Sequence, residues 1–280
     1  MQLLLHNTFS LYLSPVLVED LVAHPDKLRL DGESRELTSL FTDLEGFTSL
    51  SEKLAPEQLV DVLNRYLDGM CNVAINHNGT IDKIIGDALH VIFGAPNSLE
   101  NHAQSAYECA LEMDRFSQAF NEELKREGKT FALTRIGVNT GSAVVGNFGG
   151  KARFVYTAYG DTINSAARLE SLNKYLGTRI CVSHETVKRC SGKTVRPVGN
   201  VIVKGKSHAI EVFEPLDDDS LSLTYMDDYV MTYQLIEAKD PSAKAQIEKL
   251  FALYPEDPLI RLYHERIVVQ KHAGADLSFS

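Results

Sequence analysis

Cysteine is scarce and unpaired in this sequence. The four present, Cys71, Cys109, Cys181 and Cys190, form no CxxC, and none sits at ligand spacing from a histidine, which excludes a cysteine-based metal centre. Reduced, mostly buried thiols of a cytosolic protein are the expectation. Also missing is any apolar run of about 20 residues, so no helix is expected to span a membrane. The opening MQLLLHN is too short for a secretory signal and lacks a basic start. A membrane tether, where one exists, is therefore expected outside this chain. Positive charge is in short supply: 28 lysines and arginines face 38 aspartates and glutamates, a net charge of -10. Surfaces that coat nucleic acid are normally basic, so nucleic acid is not expected as a partner. A local basic pocket for one small polyphosphate stays compatible with that balance. No repeat of fixed period is evident.

What is present fits a globular protein. Of 280 residues, 44% are hydrophobic and 24% charged, enough for one main domain with attachments. Residues 1–36 hold LYLSPVLVEDLVAHP, a short amphipathic helix, and the polar KLRLDGESRE; they read as a helical adaptor that transmits a signal. Residues 37–215 alternate between strand and helix signals. LTSLFTD reads as a strand. Pro56 to Asn78 has helical periodicity in Leu59, Leu63, Tyr66, Leu67 and Met70, with Gly79 just past its end. TIDKII and ALHVIFG alternate with period two and meet at Gly86-Asp87, a hairpin signal. Asn101 to Glu127 is a long helix stopping at Gly128. FALTRIGVNTG reads as one strand and SAVVGNF as the start of another. FVYTAY is a strand and GDTINSAARLESLNKY a helix; RICVS, TVRPVGNVIVKG and AIEVFEP are mostly strand.

The order β-α-β-β-α-β, then further β and α, predicts an α+β fold: the ferredoxin-like, split-βαβ arrangement with extra strands. LDDDS is a polar break, and residues 216–280 read as a C-terminal helical extension whose default role is to cover the sheet.

Two charges sit awkwardly in the predicted hairpin IDKIIGDALHVIF. Lys83 and Asp87 lie among apolar neighbours with no evident charged partner. Asp43 ends the apolar strand LFTD, and in a split-βαβ sheet that strand and the hairpin are neighbours, so the two carboxylates can converge. Converging carboxylates repel unless a cation lies between them. Oxygen donors in small number suit Mg²⁺ or Mn²⁺, with phosphates completing the shell. The LEGFT segment that follows carries Gly46, Phe47 and Thr48, whose backbone N–H groups can face phosphate oxygens. Taken singly, each aspartate also reads as an ordinary turn or cap residue.

These stretches resemble class III nucleotidyl cyclases, the family that makes cyclic AMP or cyclic GMP. FTDLEGFT is similar to the family's first metal motif, KIIGDAL to its second, YTAYGDTINSAARLE to its third signature and VKGK to its fourth, in order over residues 37–215. The resemblance implies a cyclase palm with two divalent ions per site, held by Asp43 and Asp87, with Leu44 counted in the same set. It implies in-line attack of the ribose 3′-hydroxyl on the α-phosphate with loss of pyrophosphate, in which the protein positions groups and neutralises charge. Asn164 and Arg168, four apart on one helix face, match the groups that hold the ribose and meet the α-phosphate. Lys204, with Lys206 as second choice, and Arg135 match groups at the β- and γ-phosphates.

By the same resemblance, Lys83 and Thr157 match the two base-reading positions. A lysine donates to adenine N1, whereas guanine N1 carries a hydrogen and would oppose it. Thr157 is less exclusive, since a hydroxyl both donates and accepts. ATP is therefore the expected substrate, in the manner of bacterial-type adenylate cyclases, with a guanylate cyclase or a silent ATP-sensing module as the alternatives. His90 reads as a core or interface histidine and Asp161 as a helix cap. In the family the metal aspartates and the Lys83, Thr157, Asn164, Arg168 and Lys204 positions come from different subunits, so a head-to-tail homodimer with two equivalent sites is implied. An upstream sensor or membrane module of a longer parent protein is an expected partner, and the cytoplasm the expected location. Some relatives with threonine at the base-reading position respond to bicarbonate.

Overall fold

A computed structural model describes residues 18, 22–24, 30–47, 51, 52, 54–129, 131–150, 152–203, 209–216, 223–270 and 274–279. The expected adaptor helix falls mostly outside them. β1 runs Gly32–Leu44, α1 Pro56–Asn76, β2 Thr80–Ile85, β3 Ala88–Phe93, α2 His102–Arg126 and β4 Thr134–Gly150. β5 (Arg153–Tyr159), α3 (Asp161–Leu176), β6 (Ile180–Ser183), the single turn α4 (His184–Val187), β7 (Val195–Val203) and β8 (Ile210–Pro215) follow. The chain closes with α5 (Leu223–Glu237), α6 (Ala243–Leu253), α7 (Pro258–His264), a π-turn over Glu265–Val269 and β9 (Asp276–Phe279).

The strands form one sheet in the order β2-β3-β1-β4-β6-β8-β7-β9, with β5 paired to β4. Its first four strands have the split-βαβ order, and each neighbouring pair among them is antiparallel, as the sequence order predicts. On one face lie α1 and α2. Their apolar stripes, including Val62, Tyr66, Met70, Met113 and Leu124, bury Leu40, Leu44, Leu89, Val91 and Val138. The period of two along β1 sends Ser39, Phe41 and Asp43 to the opposite face. α3 crosses that face closely: a Cβ on Gly137 of β4 would meet the Glu170 backbone N at 2.1 Å. The missing side chain there lets helix and strand touch backbone to backbone.

Three expectations are corrected. Residues 32–36, assigned to the adaptor, are the first five of β1 and pair with β4 from Gly32↔Gly146 onward. β4 is one strand of 17 residues instead of two, because Gly141 makes no turn. A Cβ there would meet the Thr162 hydroxyl of α3 at 2.8 Å, so the glycine gives room to the helix. The C-terminal extension is not purely helical: β9 adds to the sheet parallel to β7, covering an edge that would otherwise expose unpaired backbone groups.

The C-terminal helices share a core with the sheet. Tyr225, Tyr229, Ile236, Ile247, Ile260 and Tyr263 pack with Leu169, Leu172, Val198, Val201 and Val212. A buried ion cluster joins the two parts. Arg196 of β7 donates from Nε to Glu214 Oε2 at 2.6 Å and from Nη1 to the Asp257 carboxylate and the Tyr225 hydroxyl. Asp257 also caps α7, its Oδ1 accepting from Leu259 N at 3.0 Å and Ile260 N at 2.9 Å. Removing Arg196 leaves two buried carboxylates uncompensated. Arg196→Ala should therefore lose about 3–5 kcal/mol in a urea unfolding measurement. A loss below ~1 kcal/mol, the range of a surface pair, would show that the cluster does not hold the C-terminal segment.

Candidate active site

β1 and the β2–β3 hairpin build one end of the site. β3 lies beside β1 with Thr42 opposite Leu89, which carries the hairpin turn to the C-terminal end of β1. Gly86 opens that turn at φ 65°, a left-handed conformation that glycine takes without a Cβ clash. Asp87 follows, and its Oδ2 accepts from the Leu44 backbone N–H at 3.1 Å. Burial, and then the charge of Asp43, push the Asp87 carboxyl above its usual range. Asp43 and Asp87 are thus brought together as expected, with Leu44 between them through its backbone. Gly46 and Phe47 follow in the turn and first helical residue after β1. Thr48, Lys204 and Lys206 lie outside the described residues.

β4 and α3 close this end. Arg135 stands opposite Asp43 in the β1–β4 register and its Nη2 donates to Asp43 Oδ2. On its other side, Nε comes within 3.1 Å of Glu170 Oε1 from α3. Neither of those two atoms has an aligned hydrogen-bond partner among the described residues, so the contact is electrostatic. Arg135 is therefore a central-strand residue held between two carboxylates, not an exposed edge arginine. Glu170 escaped the sequence reading although it ends the quoted third motif. Burial first, and the Asp43 charge second, push its carboxyl up to about 7.

The donor set fits a small divalent cation. Among the described residues, Asp43, Glu45, Asp87 and Glu170 act electrostatically here against the guanidinium of Arg135. Among the described residues, no three Asp, Glu, His or Cys side chains form a ready-made cage. Hard oxygens in such a small number match Mg²⁺ or Mn²⁺, which keep waters and substrate phosphates in the shell.

The other end reads quite differently from its sequence. Lys83 Nζ donates to Thr157 Oγ1 at 3.4 Å, so the two base-reading candidates meet within one chain. Lys83 also has a protein charge partner, contrary to the sequence reading: Asp82 Oδ2 lies 3.0 Å away. A bulge between Ile81 and Lys83 allows this. In a regular strand neighbouring side chains point to opposite faces; the extra residue breaks that alternation. His90 is buried with two partners, Nδ1 to Asp82 Oδ2 at 2.7 Å and Nε2 to Ser39 Oγ at 2.8 Å, and its ring stacks on Phe41 at 4.1 Å.

α3 presents Asn164 and Arg168 one turn apart. Asn164 is exposed, and Arg168 is half-buried with its Nη1 enclosed and without a hydrogen-bond partner among the described residues. Ser165 and Ala166, both buried, face the sheet. Asp161 is the first helical residue, and Gly160 holds the cap position expected for it.

Glu170 gives a pH signature. Folding raises its carboxyl from an ordinary 4.5 to about 7. The folded state thus favours the protonated form, and that contribution is complete below 4.5 and lost as pH climbs through 7. In buffer free of divalent ions, the thermal midpoint of the unmodified chain should fall across this window relative to Glu170→Gln. A constant difference between the two proteins from pH 4 to 8 would refute it.

The family model for the adenylate and guanylate cyclase catalytic domain matches residues 31–233. Adenylate cyclase 1 of Rhizobium meliloti is 40% identical over 181 residues, 64% of this chain and 27% of that protein. The adenylate cyclase of Anabaena cylindrica is 33% identical over 189 residues, 65% of this chain and 37% of that protein. The chain thus spans well under half the length of these relatives. The adenylyl cyclase CyaB from P. aeruginosa superposes with a TM-score of 0.63 at 35% identity, covering 69% of this chain and 100% of that one. The guanylyl cyclase Cya2 superposes with a TM-score of 0.60, again at 35% identity over 69% of this chain and 100% of that one. A cyclase for each base is equally similar in sequence, so likeness alone does not choose the base. The matched span runs from the start of β1 into α5 and includes both ends of the site: the chain belongs to the adenylate and guanylate cyclase catalytic domain family.

Proposed function

We propose that this domain is an adenylate cyclase, converting ATP to 3′,5′-cyclic AMP and pyrophosphate. The observation that carries the base preference is the Lys83–Thr157 contact, which offers an ammonium donor and a hydroxyl side by side. An adenine presents an acceptor at N1 and an amino donor at its 6-position, the complement of that pair. A guanine N1–H would face the ammonium donor to donor, and an unpaired buried group is costly. Two adenylate cyclases among the sequence relatives are in keeping with the same choice.

Asp43 and Asp87, with the Leu44 backbone, are proposed to hold Mg²⁺ or Mn²⁺, two ions per site. When bound, such ions lower the pKa of the ribose 3′-hydroxyl and offset phosphate charge. The remaining work falls to the chain. Asn164 holds the ribose, and Arg168 turns its Nη1, unpartnered among the described residues, to the α-phosphate as negative charge builds there. Arg135, which pairs with Asp43 in this structure, and Lys204 act at the β- and γ-phosphates. The backbone after β1, at Gly46, Phe47 and Thr48, cradles the same group.

Because Asp43 and Asp87 serve one site and Lys83, Thr157, Asn164 and Arg168 another, the working unit proposed is a head-to-tail homodimer with two-fold symmetry. The exposed Phe154, Val155 and Tyr159 of β5 supply apolar surface for such pairing. A longer parent protein, with a sensor or membrane module before this domain, is proposed from the greater length of the relatives, with the catalytic part in the cytoplasm. No helix among the described residues is long and apolar enough to cross a membrane.

Incubation with Mg²⁺ or Mn²⁺ and either ATP or GTP should yield cyclic AMP from ATP; cyclic GMP as the main product would give the domain to the guanylate cyclases. Asp87→Asn should lose at least about 10²-fold in rate, the scale of removing one strong charge-stabilising group. The shared site has its own test. Asp87→Asn and Arg168→Ala, each nearly inactive, should recover about a quarter of the normal activity when mixed in equal amounts, since half the dimers are mixed and each holds one intact site. No recovery on mixing would sink the dimer.

A further inference from the structure

Thr157 taken alone is an ambiguous reader. Its hydroxyl has one donor hydrogen and two acceptor lone pairs, so it suits the amino group of adenine or the carbonyl oxygen of guanine. The groups behind it remove the ambiguity. Asp82 sits there with its side chain 1% exposed, and the Thr157 hydroxyl is among the groups that hydrogen-bond to its carboxylate. An ionised carboxylate only accepts, so in that bond Thr157 is the donor. Burial works to raise the Asp82 carboxyl, yet the hydrogen bond and charge of His90, with the bonds from Thr157 and Lys83, hold it below its ordinary value.

His90 keeps Asp82 in place. Its Nδ1 faces an acceptor-only group and so carries a proton, and its Nε2 pairs with the Ser39 hydroxyl at 2.8 Å. Phe41 stacks on the ring with an interplanar angle of 10°, which fixes its plane. The chain Ser39–His90–Asp82 thus runs from β1 through β3 to the bulge in β2. The remaining valences can be counted. The Thr157 proton goes to Asp82 and one of its lone pairs to Lys83, which leaves one lone pair for a ligand. The Lys83 ammonium has three protons; Asp82 and Thr157 engage two, which leaves one.

We infer that Asp82, held by His90 and Ser39, is a positioning residue that makes Thr157 an acceptor-only reader of the base edge and thereby sets the preference for adenine over guanine nucleotides. The inference rests on the base-reading role proposed for Lys83 and Thr157. One free lone pair beside one free ammonium proton matches the 6-amino group and N1 of adenine; guanine offers an acceptor and a donor in the reverse order.

The isosteric Asp82→Asn tests it. Its amide oxygen stays with the His90 N–H, its NH₂ turns to Thr157, and the hydroxyl proton is released toward the base. The ratio of kcat/KM for ATP to that for GTP, and the ratio of the two dissociation constants measured by competition with a fluorescent nucleotide, should both fall at least about tenfold. Thr157→Asp in the same background should restore the ratio, because a carboxylate only accepts. Asp82→Asn should add nothing to the loss of selectivity in Thr157→Val, since both act on one group. Equal losses for ATP and GTP, additive effects or failed rescue would each overturn the inference and leave Asp82 a structural residue. If Asp82→Asn does not fold, Ser39→Ala should lower the ratio in the same direction, and an unchanged ratio there overturns it equally. An unmodified chain that cyclises neither nucleotide refutes the proposed activity, while the ratio of dissociation constants still decides the role of Asp82.

Discussion

Carboxylate repulsion at the C-terminal end of β1 is the constraint around which the site is built. Asp43 and Asp87 are set side by side by the β1–β3 pairing and by the bond from Leu44 N–H to Asp87. Glu170 comes down from the helix above, and among the described residues Arg135 stands between them as countercharge. Such an arrangement is unfavourable in isolation, as the raised carboxyls of Asp87 and Glu170 record. It persists because the strands and α3 are fixed by apolar packing elsewhere, at Leu40, Leu44 and Leu89 on one face and at Leu169 and Leu172 on the other. A rigid frame that holds like charges together is a frame prepared for a cation and a polyphosphate.

The base end uses the opposite strategy. There Asp82, His90, Ser39, Lys83 and Thr157 all have partners, and the selectivity proposed for this end comes from how few valences remain. Asp82, His90 and Ser39 are buried and mutually bonded, so the reading groups Lys83 and Thr157 are left with a defined pattern of free donors and acceptors. Satisfied buried networks of this kind are rigid, and the discriminating role proposed for the Thr157 hydroxyl rests on that rigidity. The C-terminal segment contributes at a distance. Through Arg196, Glu214 and Asp257 it clamps β7 and β8 and covers α3 from behind, so the helix that carries Asn164, Arg168 and Glu170 is supported on both sides.

Much of this was legible in the chain itself. Alternation gave the hairpin, helical periodicity gave α1 to α3, and their order gave the split-βαβ sheet. Asp43 and Asp87 were marked by their places at the ends of neighbouring strands, whereas Asn164, Arg168, Lys83 and Thr157 were implied by the resemblance to the four cyclase motifs. What misled were local signals with a tertiary explanation. Gly141 looked like a break between strands and proved to be a space for Thr162. Pairing with β4 drew residues 32–36 into the sheet despite their polarity. Lys83 seemed to lack a protein partner because a period of two sends Asp82 to the far face, and only the bulge cancels that.

The sequence by itself determined most of the elements, the order of the first four strands and the chemical types at both ends of the site, because periodicity and side-chain chemistry are local properties. Tertiary structure decided what each group faces. It placed Glu170 against Arg135, gave His90 its two partners and put Asp82 behind Thr157, contacts that join residues from 8 to 75 positions apart. No local pattern encodes such pairings, since they arise only when separate strands and a helix are brought into register by a core made of other residues.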